Sequence, residues 1–289
     1  NGAENSLEPL RQLLEEYKDD FTPNLRVEWD DHSLDTILEA TALESKWKFN
    51  ISSLARRVEG ISGGHLILVG ARPNTGKTSF HASLVAADGG FAQQGAKVTV
   101  LCNEEAYTRV AARYISASSN MTMTEVRTNK ALASKRYHPV SENIQFKDST
   151  GKSMDWVESV VKYERPDILI LDMGDKFADI RSERSDITLK AAAIHARNIA
   201  KQYDCAVVWM SQLSAEAEGR ADLNQAMMEG SKTGKAAEAD LMVLIGKTQQ
   251  AEGEEDDPIR YLNIAKNKLN GFQGKITCML DGSRSVYTA

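Results

Sequence analysis

Lys77 and Thr78 close the run Ala71-Arg72-Pro73-Asn74-Thr75-Gly76-Lys77-Thr78, which follows directly on Leu66-Ile67-Leu68-Val69-Gly70. An ammonium beside a hydroxyl, behind a short glycine-containing loop, is the chemistry that holds a nucleoside triphosphate. Successive backbone N–H groups wrap the phosphates, Lys77 reaches the β/γ oxygens, and Thr78 offers its hydroxyl to Mg²⁺. The helix that follows points its positive end at the same anion. Arg72, Pro73, Asn74, Thr75, Gly76, Lys77, Thr78 and Ser79 are therefore the expected nucleotide-binding residues. One position departs from the consensus G-x-x-x-x-G-K-S/T: Ala71 stands first, with Gly70 one residue earlier. A chance Gly-Lys-Thr in a surface loop is the alternative, and placement after an aliphatic strand counts against it. The expectation is binding and hydrolysis of a nucleoside triphosphate.

Three further aliphatic runs end in polar residues suited to the same chemistry. Val98-Thr99-Val100-Leu101 ends in Cys102-Asn103-Glu104-Glu105, Ile168-Leu169-Ile170-Leu171 ends in Asp172, and Val207-Val208-Trp209-Met210 ends in Ser211-Gln212. In an open parallel α/β sheet, ligands bind beyond the carboxyl ends of the strands. Asp172 is expected to orient a Mg²⁺-bound water. Glu104 is expected to polarise the attacking water as general base, and Gln212 to contact the γ-phosphate or that water. Of Glu104 and Glu105, one is expected to face the nucleotide, because adjacent residues point in different directions. Taken singly, each is an ordinary solvated strand-end residue. Four successive strand ends of this kind are hard to assign to chance.

The elements that must position these groups alternate in type from about Leu54 onward, which implies a mostly parallel sheet covered on both faces. Strands are expected at 66–69, 98–101, 168–171, 206–210, 241–245, 260–265 and 275–280, and helices at 77–94, 106–118, 155–163 and 188–203. Before them, 6–18 has amphipathic helical spacing, 22–31 reads as a linker around Pro23, and 33–46 is a second helix with Ser33 as N-cap. The acidic run 252–257 reads as a solvated hairpin tip.

Bulk properties set outer limits. The 289 residues suit one large α/β domain with an extension, or two small domains, and 42% apolar content supports an ordinary core. No apolar run approaches the ~18 residues that span a bilayer, so no membrane partner is expected. The chain begins at Asn1 rather than Met and is expected to be part of a longer polypeptide. Cys102, Cys205 and Cys278 lie far apart in or beside apolar strands, as reduced, buried thiols of a cytosolic protein would. A net charge of −6 argues against a whole-surface nucleic-acid binder but allows a local basic strip.

With these residues in order, the chain resembles the RecA-type ATPase domain of the hexameric replicative DNA helicases, bacterial DnaB-like proteins and bacteriophage primase-helicases alike. The likeness runs from about Leu54 to the C-terminus and rests on GARPNTGKT, LCNEEAYTRVAAR, ILILDMGD, VVWMSQLS and SKTGKAAEADLMVLI. It places Glu104 on the family's catalytic glutamate, Arg113 on its helix arginine, Asp172 on its Mg²⁺-site strand and Gln212 on its sensor strand. Asp240 falls on its Ala-Asp pair. The fold implied is a RecA-like P-loop NTPase, α/β with a central, mostly parallel twisted sheet flanked by helices. The arrangement implied is an N-terminal helical arm over 1–50 and a motor domain over 51–289. ATP or another NTP with Mg²⁺, a hexameric ring of copies, single-stranded DNA, and primase and polymerase as partners are implied as well. The setting implied is the cytoplasm of a bacterial or phage-infected cell.

One departure comes late. Where the family has K-x-R, its arginine reaching a neighbour's ATP, this chain has Lys266-Asn267-Lys268. RecA recombinases use a K-x-K pair across their interface, so Lys266 and Lys268 are expected to act in trans, without arginine's bidentate fork. For DNA, Lys232, Thr233 and Lys235 in a small-residue loop are the expected phosphate contacts. Lys176, Arg181 and Arg184 form a second candidate group, interspersed with Asp175, Asp179, Glu183 and Asp186, which equally suits an exposed mixed-charge surface. Two alternatives stand beside a ring helicase: a RecA-like recombinase or DNA-dependent ATPase that forms filaments without unwinding, and a regulatory ring that binds no nucleic acid.

Overall fold

Each of the seven aliphatic runs becomes a strand. The structure, a computed structural model, describes residues 33–42, 45–178, 185–230, 234–249 and 257–289. The expected helix at 6–18, the linker at 22–31, most of the acidic run, and Arg181, Arg184, Lys232 and Thr233 lie outside these residues. The chain divides into two units, residues 1–42 and 43–289. In the first, helix α1 (Leu34–Ala42) opens at Ser33, whose hydroxyl accepts the Thr36 amide at 3.3 Å. This is the expected N-cap. Residues 45 and 46, inside the expected span, are not helical.

The second unit holds a nine-stranded sheet in the order β11-β10-β9-β8-β3-β7-β6-β4-β5. The six strands from β8 to β5 are parallel: β8 (Leu241–Gly246), β3 (Leu66–Ala71), β7 (Ala206–Gln212), β6 (Ile168–Asp172), β4 (Val98–Cys102) and β5 (Ile144–Asp148). β9 (Ile259–Asn267), β10 (Gly274–Asp281) and β11 (Val286–Thr288) continue it antiparallel beyond β8. A small hairpin-like pair, β1 (Trp47–Lys48) and β2 (Gly60–Ile61), flanks helix α2 (Ser52–Val58).

Alternation along β3 explains the layering. Ile67, Val69 and Ala71 face a core with Leu54 and Val58 of α2, Phe80 of α3 (Lys77–Ala86), and Val110 and Tyr114 of α4 (Tyr107–Ser119). Leu66 and Leu68 face a second core with Val157 and Val161 of α7 (Met154–Glu164) and Ala196 and Ile199 of α8 (Ser185–Gln202). A strand buried on both faces needs no polar side, which is why its sequence is a continuous aliphatic run. Each fully buried Val, Leu or Ile contributes about 1.5–3 kcal/mol.

The helix after the phosphate loop is shorter than its expected span of 77–94 and ends at Ala86. Asn50 Nδ2 donates to the carbonyls of Ser83 (2.9 Å) and Asp88 (3.2 Å), and Gly89 turns the chain with φ 67°. A tertiary cap thus replaces the next helical turn. The pair α5 (Met123–Thr128) and α6 (Lys130–Ser141) between α4 and β5 carries few buried apolar side chains, Ala133 and Val140 of α6, and has no periodic signal to announce it.

Candidate nucleotide site

The carboxyl ends of β3, β4 and β7 converge on a cleft of about 360 Å³ lined by Lys77, Thr78, Glu104, Arg113, Gln212 and Arg260, among others. The end of β6 is buried beside Lys77. β3 feeds the loop, and Gly76 takes φ 103° as N-cap of α3. A Cβ there would lie 2.5 Å from Leu280 and 2.7 Å from the Tyr287 hydroxyl, so shape and backbone both require glycine. The Tyr287 hydroxyl donates to the Gly76 carbonyl at 3.1 Å, and the buried Arg260 donates through Nε to the Thr75 carbonyl at 2.9 Å. The last strands of the chain therefore hold the loop from behind. The first-turn N–H groups of α3 have no helical carbonyl to accept them, which leaves them for an anion.

Lys77 is 9% exposed. Its Nζ lies 3.0 Å from Glu104 Oε2 and 3.6 Å from Asp172 Oδ1. The adjacent Glu105 turns to Arg113, whose Nη1 lies 3.1 Å from its Oε1. The two glutamates divide, one on the phosphate-loop lysine and one on the α4 arginine, and both border the cleft. Asn103 sets their strand end, because its Oδ1 accepts the Met173 amide at 2.7 Å and its own amide donates to the Asp172 carbonyl at 2.9 Å.

Asp172 is 2% exposed. Its Oδ2 lies 3.2 Å from His81 Nε2, and His81 Nδ1 lies 2.8 Å from the hydroxyl of Tyr114. Burial pushes the Asp172 carboxyl up, but the His81 hydrogen bond and charge and the Lys77 ammonium outweigh it and hold the group at about 2. Oδ1 is buried without a hydrogen-bond partner among the described residues. An ionised, orphaned oxygen beside the phosphate-loop lysine suits a hydrated Mg²⁺, which takes few protein oxygens and keeps several waters. Burial pushes the Cys102 thiol, one strand over, up to about 12. Cys102, Cys205 and Cys278 are all buried and unpaired with one another.

Arg72 and Ser79 also border the cleft, with their polar groups engaged. Arg72 has its Nε on Glu218 at 2.8 Å and its Nη1 on the Leu213 carbonyl at 2.9 Å. Ser79 is buried, with its Oγ 3.3 Å from that of Ser285. Lys235 corrects the sequence reading. It is fully buried, with Nζ donating to Asp175 Oδ1 at 2.8 Å and Ser211 Oγ at 2.9 Å, so it cannot neutralise a DNA phosphate from there. Lys176 is exposed.

Lys266 and Lys268 lie at the opposite edge of the sheet. Lys266 pairs with Met242, and Met242 with Leu68, placing Lys266 roughly 10 Å along β3 from Ala71. Lys266 Nζ donates to the carbonyls of Ala236 (2.6 Å) and Ala237 (2.9 Å) in the short helix α9 (Gly234–Glu238), while Lys268 is exposed. Asp240 accepts the Leu66 amide at 2.9 Å and pairs with Arg197, so it anchors the start of β3.

The DnaB-like helicase C-terminal domain family matches residues 48–288. The chain belongs to this family. Among similar proteins, the replicative DNA helicase DnaB of Pasteurella multocida is 25% identical over 252 residues, 81% of this chain and 53% of that protein. The DnaB of Haemophilus influenzae is 24% identical over 253 residues, 82% of this chain and 53% of its own length. The chain thus spans about half the length of these relatives. A solved ATPase domain superposes with TM-score 0.73 at 18% identity, covering 90% of this chain and 99% of that one. A solved DnaB-like replicative helicase, described with its interactions with primase, gives 0.77 at 18%, covering 99% and 73%. These likenesses establish the fold: the RecA-like arrangement of a mostly parallel sheet between helical layers, as the family resemblance implies.

His81, Tyr114, Asn103, Asp175, Arg260 and Tyr287 escape sequence reasoning. Only Arg260 leaves a signal, as an arginine early in a strand whose partners are apolar, which calls for a buried acceptor.

Proposed function

We propose that this chain is the ATP-hydrolysing motor of a replicative DNA helicase and works in a ring of copies, six by family analogy. The observation that carries the reading is the meeting of Lys77, Glu104 and Asp172 over one cleft, with Lys77 Nζ 3.0 and 3.6 Å from the two acids. A triphosphate seated on the loop competes for that ammonium. Its arrival releases Glu104 to take a proton from the attacking water. Gln212, across the cleft, contacts the γ-phosphate or that water. Thr78 and Asp172 hold Mg²⁺, which supplies charge neutralisation at the phosphate oxygens. Arg113 keeps Glu105 turned aside.

Lys268 is too far from its own loop to serve it, which supports action on a neighbour's nucleotide. Lys266, held by carbonyls of α9, positions that strand end. Lys176 and the segments holding Arg181, Arg184, Lys232 and Thr233 contact single-stranded DNA through its backbone. Primase and polymerase are partners by analogy with the family, in a bacterial or phage-infected cell. The family match favours this over a filament-forming recombinase.

Strand displacement on a forked duplex, run with each NTP for the wild type and Lys77→Ala, tests the reading. ATP-driven displacement that Lys77→Ala abolishes is expected. DNA-stimulated hydrolysis without displacement under any NTP would favour the recombinase. No binding of single-stranded DNA at low salt would favour a regulatory ring.

A further inference from the structure

We propose that Lys235 and Asp175 are a positioning pair, an ion pair between a buried lysine and a half-buried carboxylate that sets Gln212 and Asp172 in register beside the cleft. The inference rests on the nucleotide-site reading above.

One carboxylate gathers donors from two separate elements. Asp175 Oδ1 accepts from Trp209 Nε1 at 2.9 Å and Lys235 Nζ at 2.8 Å, and Oδ2 accepts from Ser211 Oγ at 2.6 Å and the Gln212 amide at 3.4 Å. Lys235 Nζ closes the ring on Ser211 Oγ at 2.9 Å. Trp209 is fully buried, and a Cβ on Gly174 would come within 2.4 Å of its indole, so the backbone beside Asp175 lies flat on that ring. Asp175 sits on the turn that follows Asp172, and Ser211 immediately precedes Gln212. The ion pair therefore fastens the end of β6 to the end of β7 at the two residues read as metal holder and sensor.

Stability alone is a poor reason for this arrangement. Burying an ammonium and a carboxylate costs about as much as their attraction returns, and apolar side chains of like volume commonly do as well. A carboxylate with two fixed oxygens does what an apolar pair cannot, because it dictates the direction of a strand end. Lys235 holds that carboxylate in place.

The test is ATP hydrolysis by the full chain. Lys235→Met should lower kcat by about ten- to a hundredfold while the ATP KM, and the Kd of a fluorescent ATP analogue, change less than about threefold. Lys235→Arg should restore part of the rate. Combined with Gln212→Ala, Lys235→Met should cost less than the product of the two separate losses, because part of its effect passes through Gln212. Wild-type kcat in Lys235→Met, independent losses in the double variant, or a lower melting temperature with unchanged turnover per folded molecule would overturn the proposal. If Lys235→Met does not fold, Asp175→Asn undergoes the same measurements with the same outcomes. Lys77→Ala separates the two readings. Hydrolysis surviving in Lys77→Ala sinks the nucleotide site itself, whereas an inactive Lys77→Ala beside a fully active Lys235→Met sinks only the positioning pair.

Discussion

At the carboxyl edge of the parallel strands Lys77 meets Glu104 and Asp172 across an open cleft, with one carboxylate oxygen left unsatisfied. At the amino edge the same residue types are consumed by structure. Asp240 is taken by Arg197 and the Leu66 amide, and Lys266 by two carbonyls of α9. Lys268 there is exposed. The difference teaches where each edge can act. Opposed charges paired with one another beside a cavity can be parted by an anion and a cation from solution. Charges closed on the backbone fix an edge, and Lys268 on that edge is left facing outward.

The largest effect should come at the carboxyl edge. Glu104→Gln should lower turnover by about 10²–10³-fold while nucleotide binding persists, measured by phosphate release beside a fluorescence titration. Equal loss in both would mean that Glu104 only holds Lys77. At the amino edge, Lys268→Ala should lower turnover by at least about tenfold, less than the thousandfold or more typical of an arginine finger. Mixing Lys268→Ala with Lys77→Ala chains should recover activity, since each supplies what the other lacks. No recovery would place Lys268 outside any shared site.

Smaller effects test the supports. Arg260→Met leaves the Thr75 carbonyl without its buried donor and should destabilise the fold by about 2–3 kcal/mol in denaturant melts. It should also weaken nucleotide binding, which a change at the amino edge would not. The smallest effect is with acid. Asp172 is held below its ordinary 3.8 at about 2, so the stability its ionisation contributes is present above about pH 4 and lost as the pH falls through about 2. Asp172→Asn should flatten acid melts in that window, and an unchanged acid limb would mean that His81 and Lys77 do not hold the charge.

What was legible follows from locality. β10 is readable by its alternation of buried and exposed residues. The five parallel strands β3, β4, β6, β7 and β8 announce themselves by the opposite signal, because burial on both faces leaves no polar alternation to confuse them. β5 does not, since at the sheet's edge only Ile144 of its five residues is buried. The phosphate loop and the strand-end acids are readable because each depends on a neighbour in the chain. Lys235 misleads for the opposite reason. In a run of small polar residues it looks solvated, but its partner Asp175 lies 60 positions earlier. His81 is likewise one histidine on a helix until the fold brings Asp172 and Tyr114 to its two nitrogens.

By itself the order of residues determined the strands, the loop that follows the first parallel one, and which acids stand at strand ends. Those are short-range matters of apolar runs and turns. Only the folded chain decided which charges face the cleft and which are spent on the backbone. A carboxylate's role depends on whether water, a lysine or a backbone amide lies within about 3 Å of it, and long-range packing alone sets that distance.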